Sequence, residues 1–324
     1  MPLSVVIATF NRAPLLRDSL ECLSGQAYRP GDEVVVADNG STDDTAAVLR
    51  EAAARFPVPL QAVFEPRPGK SNAVARAVEA ARGDLLAFTD DDVFVADDWV
   101  ERIHAIFDQG DVDLVGGRVL PRFAARVPSW LKLSDGRGFN RLASPITLLD
   151  YGPQRQPLGR RAAPGGNLAV RRSVFEALGG FPRHLGKLRG TLLSGEDHLL
   201  SERVVASGYR AIFDPSMTVQ HLVPASRLRF RYFLRWFFWS GVTHAVLDAG
   251  RPPAGESGRP LTRYHIGQAA RTFGKAVLAA LAGGWTTAAS EATRTAFSAG
   301  YVWAQLSPRV QHWIGAGRRG AEAA

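Results

Sequence analysis

Cysteine is almost absent from this chain of 324 residues, a long apolar run is missing, and no amino-terminal targeting signal is predicted. The single cysteine, Cys22, cannot form an internal disulfide, which excludes a disulfide-rich secreted scaffold and fits a reducing compartment. Met1 leads directly into the apolar run at residues 3–8, without the basic start and cleavage site of a secretory signal. The cytoplasm is therefore the expected location.

Acidic residues are scarce in one part of the chain. The last hundred residues hold 13 Lys and Arg against 4 Asp and Glu, whereas residues 1–224 are close to neutral. The net charge of +8 therefore belongs to the carboxyl-terminal region and does not by itself indicate nucleic-acid binding. Because 46% of the residues are apolar, the chain is long and apolar enough for a full catalytic domain with additional elements.

The first hundred residues alternate β-branched runs with helical stretches, which is typical of parallel strands joined by crossover helices. The pattern predicts strands at 4–9, 33–38, 60–65 and 85–89, and helices at 13–23, 42–55 and 71–81. Residues 41–44 are expected to supply an N-cap and an acidic first turn to the second helix. Gly83 is expected to stop the third helix.

The pattern loosens after residue 97. It predicts a helix to residue 107, a strand at 114–120 and an irregular Pro- and Arg-rich stretch at 121–164. Ordered structure is expected to return at 167–170, followed by helices at 173–178 and 196–207 and strands at 210–213 and 217–221. An irregular segment of that length is expected to carry function, and we assign it to contacts with the acceptor. We predict a division into 1–105, 106–224 and 225–324.

Aromatic residues and arginines interleave at residues 227–239. This composition is typical of a helix lying in a membrane interface, and it fits equally well an aromatic helix packed on the protein with its arginines outside. No apolar run after residue 225 reaches about 18 residues, so no membrane-spanning helix is predicted.

Three consecutive carboxylates, Asp90, Asp91 and Asp92, follow the apolar run at residues 85–88. They are expected at the carboxyl end of a strand, where α/β sheets bind ligands. A divalent cation would relieve their mutual repulsion and neutralise a bound diphosphate. The alternative is a solvated acidic turn that caps the helix beginning near Ala96.

Other polar residues follow neighbouring strands. Thr9, Phe10, Asn11 and Arg12 close the first strand and offer an aromatic face and a basic group, while Asp38 closes the second. Lys70, which follows a Pro-Gly pair, is placed to reach a base or a phosphate. Each is ordinary loop chemistry alone, but together they surround one edge of one sheet and indicate a nucleotide site.

Six ordered blocks over about residues 1–222 resemble the family 2 glycosyltransferases, which are inverting enzymes of the GT-A fold. The blocks comprise residues 5–12, 38–43, 69–72, 88–92, 165–167 and 195–197. The resemblance implies an α/β fold with a Rossmann-like nucleotide-binding sheet, helices on both faces and a helical carboxyl-terminal extension. It also implies a nucleoside-diphosphate sugar donor and a divalent cation, Mg²⁺ or Mn²⁺.

The resemblance implies a role for each site residue. The donor would bind through Thr9, Phe10, Asn11, Arg12, Asp38, Lys70, Asp90, Asp91, Gly166 and Asn167, with Phe10 stacking near the base, Asp38 contacting it and Asp91 lying by the ribose. The metal would bind Asp92 and His221, although a histidine that ends a strand also fits a structural role.

Inversion requires a base that accepts the proton of the attacking hydroxyl. Asp197 is the candidate base and Glu196 the candidate for orienting the acceptor; the alternative is that both merely cap a helix.

The predicted activity is metal-dependent transfer of a hexose, from a UDP-sugar first of all, to an acceptor hydroxyl. The basic aromatic tail favours surface polysaccharide or glycoconjugate synthesis, while a sugar, a lipid-linked sugar, a protein and a small metabolite all stay open as acceptors. The predicted location is cytoplasmic, with peripheral contact to the inner face of the membrane through residues 225–324. A sugar nucleotidyltransferase is the second enzyme class, but residues 8–11 lack its Gly-rich, Arg-containing phosphate loop. A non-catalytic nucleotide- or nucleic-acid-binding module is the third alternative, and it would leave the acidic strand ends without a purpose.

Overall fold

The protein is described from a computed structural model that covers residues 1–133, 141–182, 185–188, 190–249, 261–308 and 310–311. The strands are Leu3–Thr9 (β1), Glu33–Asp38 (β2), Leu60–Phe64 (β3), Leu85–Asp90 (β4), Val93–Val95 (β5), Leu114–Phe123 (β6), Gln156–Pro157 (β7), Asn167–Arg171 (β8) and Ala211–Val223 (β9). The helices are Ala13–Ser24 (α1), Thr45–Ala53 (α2), Lys70–Ala80 (α3), Trp99–Asp108 (α4), Arg172–Ala177 (α5), Glu196–Ala206 (α6), Phe230–Ala249 (α7), Leu261–Leu281 (α8) and Trp285–Leu306 (α9).

The described residues divide into two compact units, of which the first comprises residues 1–122, 149–189 and 196–222. Its strands form one sheet in the order β3-β2-β1-β4-β8-β6-β9-β5, with β7 paired to β9. Strands β3, β2, β1 and β4 are parallel, whereas β8 joins β4 in the antiparallel direction. The predicted mixture of a Rossmann-like sheet and flanking helices is confirmed.

Both faces of this sheet are covered, which explains why its central strands are almost entirely apolar. Successive side chains of a strand point to opposite faces. Accordingly Val5 and Ile7 lie in one hydrophobic core with residues of α1, α2 and α4, while Val6 lies in a second core with residues of α3, α5 and α6. The sheet therefore forms the middle layer of three.

Two sequence predictions about strands need correction. The stretches 210–213 and 217–221, predicted as separate strands, form the single long strand β9. The short strand β5 was not predicted, and it pairs with β9 so that Val93 lies opposite His221.

Two predicted helix boundaries are also wrong. Helix α2 begins at Thr45 and has no acid in its first turn; Asp43 instead accepts hydrogen bonds from Thr45 and from the Ala13 amide of α1. Gly83 does not stop α3, which ends at Ala80. A side chain at Gly83 would approach the Ser4 amide nitrogen to 2.6 Å, so this glycine is needed for close packing against β1.

The second unit comprises residues 123–148, 190–195 and 223–324. Helix α7 packs against α9, and α8 packs against α9 as well. A hydrophobic core of this unit contains Phe233 and Phe237 of α7 together with Leu142 and Ile146 of a 3-10 helix at Arg141–Ile146.

The aromatic residues of α7 thus serve in part as a protein core. None of the helices in the described part of the chain is both long and apolar enough to cross a membrane. The predicted division at residues 105 and 224, and the peripheral membrane contact of residues 225–324, stay predictions.

Candidate active site

The candidate site lies at the carboxyl ends of the parallel strands β1, β2 and β4. Strand register places Thr9 opposite Asp38 and Ala8 opposite Asp90. The polar residues that follow these strands therefore meet at one edge of the sheet, as the sequence predicts. Each carboxylate of the triplet has its own surroundings there.

Asp91 points back toward the first strand. It is 4% exposed and accepts hydrogen bonds from the Thr9 hydroxyl at 2.8 Å and from an Arg12 guanidinium nitrogen at 2.8 Å. Burial and the neighbouring carboxylates raise the pKa of Asp91 to about 6, although Arg12 and Thr9 oppose this shift. Thr9 and Arg12, which the sequence predicts to contact the donor, therefore bind the Asp91 carboxylate in this structure.

Asp90 is paired with Lys70 of α3. The Lys70 ammonium contacts Asp90 Oδ1, and both side chains are mostly buried. Burial disfavours the charge on each, but their attraction outweighs it, so that the pKa of Asp90 lies well below and that of Lys70 well above the ordinary value. The sequence predicted that Lys70 would reach a base or phosphate; the structure shows its ammonium at the acidic triplet.

Asp92 lies between Arg12 and His221. Its Oδ2 accepts a hydrogen bond from Arg12 at 2.9 Å, and its Oδ1 lies 3.3 Å from His221 Nε2. The pairing of β5 with β9 brings these two residues together, because the Leu222 amide donates to the Asp92 carbonyl oxygen. His221 Nδ1 lies 2.9 Å from the Leu222 carbonyl oxygen, a contact that directs Nε2 toward the carboxylate.

One atom each of Asp90, Asp92 and His221 lies within 4.8 Å of the other two, an arrangement that can hold a metal ion. Two carboxylates and one imidazole are side chains that bind divalent cations, and three such ligands leave further positions for others. This set contains the two predicted ligands, Asp92 and His221, and adds Asp90. The alternative that the triplet caps a helix is not supported, since α4 begins at Trp99 after Asp98.

Asp197 binds the backbone of the Gly165-Gly166 pair. Its Oδ2 accepts the Gly165 amide at 2.9 Å, and its Oδ1 accepts the His198 amide at 2.8 Å. A Cβ added at Gly166 would lie 3.2 Å from Asp90 Oδ2. Gly165 therefore binds the half-buried Asp197 carboxylate, the adjacent Gly166 lies near Asp90, and the charges of both carboxylates act on Lys70.

Glu196 begins α6 beside Asp197 but has a different environment. Its Oε2 is buried without a hydrogen-bond partner in the described structure, as is the Thr89 hydroxyl. Both residues line a cavity of about 10 Å³ together with Lys70 and Gly165, a space close to that of one water molecule. Burial and repulsion from Asp197 raise the pKa of Glu196 to about 7, while Lys70 opposes the shift.

The nucleotide-binding residues predicted near β1 and β2 lie at the same edge. Phe10 is half-buried, and Asn11 is exposed with a φ of 51°. Asn11 Oδ1 accepts the Thr42 amide at 2.7 Å, and Asp38 Oδ1 accepts the Ser41 amide at 2.9 Å. Asn11 and Asp38 therefore shape the loop between β2 and α2.

Asn167 has a structural environment. It is fully buried; its side-chain oxygen accepts from the Trp99 indole at 2.8 Å, and its nitrogen donates to the carbonyl oxygens of Arg118 and Met217 at 2.9 Å. Its predicted contact to the donor stays a prediction. Its side chain ties β8 to α4, β6 and β9.

Sequence reasoning gave no role to Asn39, which organises the loop before Lys70. Its side-chain nitrogen donates to the carbonyl oxygens of Glu65 and Arg67, and its oxygen accepts the Gly69 amide at 2.9 Å. The position of Asn39, directly after Asp38 at a strand end, was the available signal.

This mixed sheet, with helices on both faces and an acidic triplet at the carboxyl end of a central parallel strand, has the architecture of the GT-A glycosyltransferases. The chain belongs to glycosyl transferase family 2, whose sequence model matches residues 4–179. It is similar to the glucosyl-dolichyl phosphate glucuronosyltransferase of Haloferax volcanii, with 26% identity over 79% of this chain and 80% of the relative. It is also similar to the O-antigen chain rhamnosyltransferase WbaN of Salmonella anatum, with 30% identity over 75% of this chain and 72% of the relative.

A solved structure supports the fold assignment. The mannosyltransferase PcManGT of Pyrobaculum calidifontis, in complex with GDP-Man and Mn²⁺, superimposes with a TM-score of 0.59 and 24% identity, over 98% of this chain and 86% of that one. The predicted family and fold class are therefore confirmed. The chain is a glycosyltransferase with relatives in glycoconjugate and polysaccharide synthesis.

Proposed function

We propose that the protein is an inverting, metal-dependent hexosyltransferase that uses a nucleoside-diphosphate sugar. The observation that carries the proposal is the meeting of Asp90, Asp92 and His221 within 4.8 Å, and it is supported by the Asp197 carboxylate, which accepts a hydrogen bond from the Gly165 amide. In this proposal the first three residues hold a cation for the diphosphate, and Asp197 is the base for the acceptor.

The donor binds along the carboxyl edge of the sheet in this proposal. Phe10 stacks near the base, Asp38 accepts a hydrogen bond from the base or ribose, and Asp91 faces the ribose. Asn11 and Arg12 complete the nucleotide end, and the backbone at Gly166 and Asn167 lies along the sugar. UDP is the first nucleotide to test, and GDP the second, because PcManGT was solved with GDP-Man.

The metal would be held by Asp90, Asp92 and His221, and when bound it would stabilise the negative charge of the departing diphosphate. Lys70 and Arg12 add positive charge to the same site. Lys70 contacts Asp90, and Arg12 contacts Asp91 and Asp92. Without these cations, three adjacent carboxylates would repel the phosphates that they help to bind.

Asp197 is the proposed general base. The acceptor oxygen forms a bond to the anomeric carbon as the bond from that carbon to the diphosphate oxygen breaks, and the acceptor proton passes to Asp197. The hydrogen bond from the Gly165 amide orients the carboxylate. Glu196, whose pKa is raised to about 7, is proposed to orient the acceptor.

The names of the relatives support two acceptor classes. One relative is named for a glucosyl-dolichyl phosphate and the other for an O-antigen chain. We therefore propose a lipid-linked sugar or a growing surface polysaccharide as the acceptor. The irregular segment at residues 121–164 is the predicted place of acceptor contacts.

The test begins with a donor screen in which UDP- and GDP-sugars are incubated with Mg²⁺, Mn²⁺ or a chelator. We expect slow release of nucleoside diphosphate that depends on the metal. Release of pyrophosphate from a sugar phosphate and a nucleoside triphosphate would instead indicate a nucleotidyltransferase.

Two variants separate the roles within the site. Asp92→Asn is expected to lower turnover at least about 100-fold and to weaken Mn²⁺ binding in calorimetry. Asp197→Asn is expected to lower transfer by about 10²–10⁴-fold, the usual contribution of a general base, with Mn²⁺ binding retained. Asp97→Asn is the matched control, because Asp97 is exposed and lies five residues from Asp92. Full activity in Asp92→Asn would overturn the metal assignment, and full activity in Asp197→Asn would overturn the base assignment.

A further inference from the structure

Helix α8 presents large apolar side chains to solvent. Phe273 is 62% exposed, Leu278 68% and Leu281 81%, and Trp285, at the start of α9, is 67% exposed. Ile266 and Val277 are exposed on the same helix. Contiguous apolar exposure of this kind marks an interaction site more often than scattered single residues do.

These side chains follow the period of the helix. Ile266, Phe273, Val277 and Leu281 recur at intervals of seven, four and four residues, so they form a stripe along one side of α8. The opposite side packs on α9, where the Thr272 hydroxyl bonds to Thr295 at 2.8 Å and the His265 ring stacks on Tyr301. With 21 residues, α8 is about 30 Å long.

The charge on α8 has a single sign. The helix contains no Asp or Glu, and Arg263, Arg271 and Lys275 are all exposed. Arg271 and Lys275 are four residues apart, so they lie on the same side of the helix, beside the exposed Leu278 rather than on the apolar stripe itself. An apolar stripe with cations on the polar side of the same helix suits a surface that is apolar and negatively charged.

This charge pattern disfavours a second copy of the chain as the occupant. A symmetric dimer would bring the same face of both helices together, and with it the same cations. An anionic bilayer has the opposite charge and accepts apolar side chains below its headgroups.

We infer that the exposed face of α8, together with Trp285, binds the surface of a membrane that contains anionic lipids. The apolar stripe enters the boundary between headgroups and acyl chains, and Arg263, Arg271 and Lys275 contact lipid phosphates. The helix lies in the plane of the interface. This assigns contact with lipid to α8 rather than to the aromatic residues of α7, of which Phe233 and Phe237 are buried in the core of the second unit.

The test measures vesicle binding by the full chain and needs neither donor nor acceptor, so it is independent of the proposed sugar transfer. Flotation is compared between vesicles of phosphatidylcholine alone and vesicles with about one quarter phosphatidylglycerol, at an ionic strength on the order of 0.1 M. We expect binding to the anionic vesicles and little to the neutral ones.

Variants locate the contact. Phe273→Ser with Leu281→Ser is expected to lower the partition coefficient at least roughly tenfold, through loss of apolar contact. Arg271→Glu with Lys275→Glu is expected to abolish the preference for anionic vesicles, since each cation near such a surface contributes roughly fivefold. Phe64→Ser, at a phenylalanine 60% exposed in the first unit, is the matched control and is expected to bind as the wild type does.

Circular dichroism checks that each variant is folded, and light scattering after size exclusion gives the mass in solution. Equal binding by the wild type and both α8 variants would overturn the inference. The inference would also be overturned if the wild type bound no vesicles and were a dimer that Phe273→Ser with Leu281→Ser converts to a monomer. That result would identify a second copy of the chain as the occupant of the exposed face.

Discussion

Replacing Lys70 by methionine tests whether the acidic triplet depends on a cation supplied by the protein. The Lys70 ammonium contacts Asp90 Oδ1, and the two side chains are only 21% and 16% exposed. Methionine retains much of the apolar stem and removes the charge. Removing one partner of a buried ion pair costs about 3–5 kcal/mol, because the remaining charge loses its compensation.

The expected loss lies near the lower end of that range. Lys187 and His221 also favour the ionised form of Asp90, so part of the compensation remains in the variant. We therefore expect the free energy of unfolding to fall by about 3 kcal/mol. In a chain of this size that corresponds to a fall in Tm of about 4 °C. Thermal and urea unfolding in buffer with a chelator measure both quantities.

Mn²⁺ should reverse part of this loss. A cation held by Asp90, Asp92 and His221 would compensate the charge of Asp90, which lacks its ammonium partner in the variant. A ligand that binds only the folded state raises the stability of that state. The rise in Tm on adding Mn²⁺ should thus be larger for Lys70→Met than for the wild type.

The matched control is Arg17→Met, which removes an ion pair with Glu51 whose two side chains are about half exposed. Exposed pairs contribute little, so no measurable change in Tm is expected. The reasoning is refuted if Lys70→Met unfolds at the same temperature as Arg17→Met. It is also refuted if Mn²⁺ raises the Tm of the wild type and of Lys70→Met by the same amount.

Two further predictions concern pH. Burial and Asp197 raise the pKa of Glu196 to about 7 from 4.5. Between these two pH values the folded protein holds a proton that the unfolded chain has lost, so the free energy of unfolding of the wild type falls as the pH rises. Glutamine does not titrate, so the free energy of unfolding of Glu196→Gln, measured with urea, should rise by about 2 kcal/mol relative to that of the wild type between pH 5 and pH 8. Burial disfavours the charge of Asp32, but hydrogen bonds from His104 and from the amides of Arg29 and Leu3 outweigh burial and lower the pKa of this carboxyl. The contribution of Asp32 to the free energy of unfolding is therefore present above about pH 3.8 and lost as the pH falls further. Asp32→Asn should lose about 2 kcal/mol at pH 7, with a difference that shrinks in acid unfolding; an unchanged difference would contradict this account.

The sequence allowed the parallel half of the sheet to be predicted because its strands are buried on both faces. Residues 85–88 read as an uninterrupted apolar run, and the polar residues that follow mark where the strand ends. Parallel strands end at a common edge, so Thr9, Asp38 and Asp90 could be placed together without knowing any distance.

The rest of the site depends on contacts between distant parts of the chain. Strand β5 has three residues, which is too short to show a period, and its partner His221 follows about 130 residues later. The pairing of Lys70 with Asp90 depends on how α3 packs against the sheet, which its local sequence does not specify. The Trp99 contact to Asn167 likewise joins α4 to β8 across the fold.

The three carboxylates of the triplet are not interchangeable, because the chain leaves β4 and enters β5 within their length. Asp90 still belongs to β4 and meets α3 through Lys70, whereas Asp92 precedes β5 and meets β9 through His221. Asp91 between them turns toward β1, where Thr9 and Arg12 occupy one oxygen each. The outer two residues of the triplet are therefore the ones that meet His221 as candidate metal ligands, while the middle one binds Arg12, which also contacts Asp92. The reversal of the chain after β4 thus gives three adjacent carboxylates three different sets of partners.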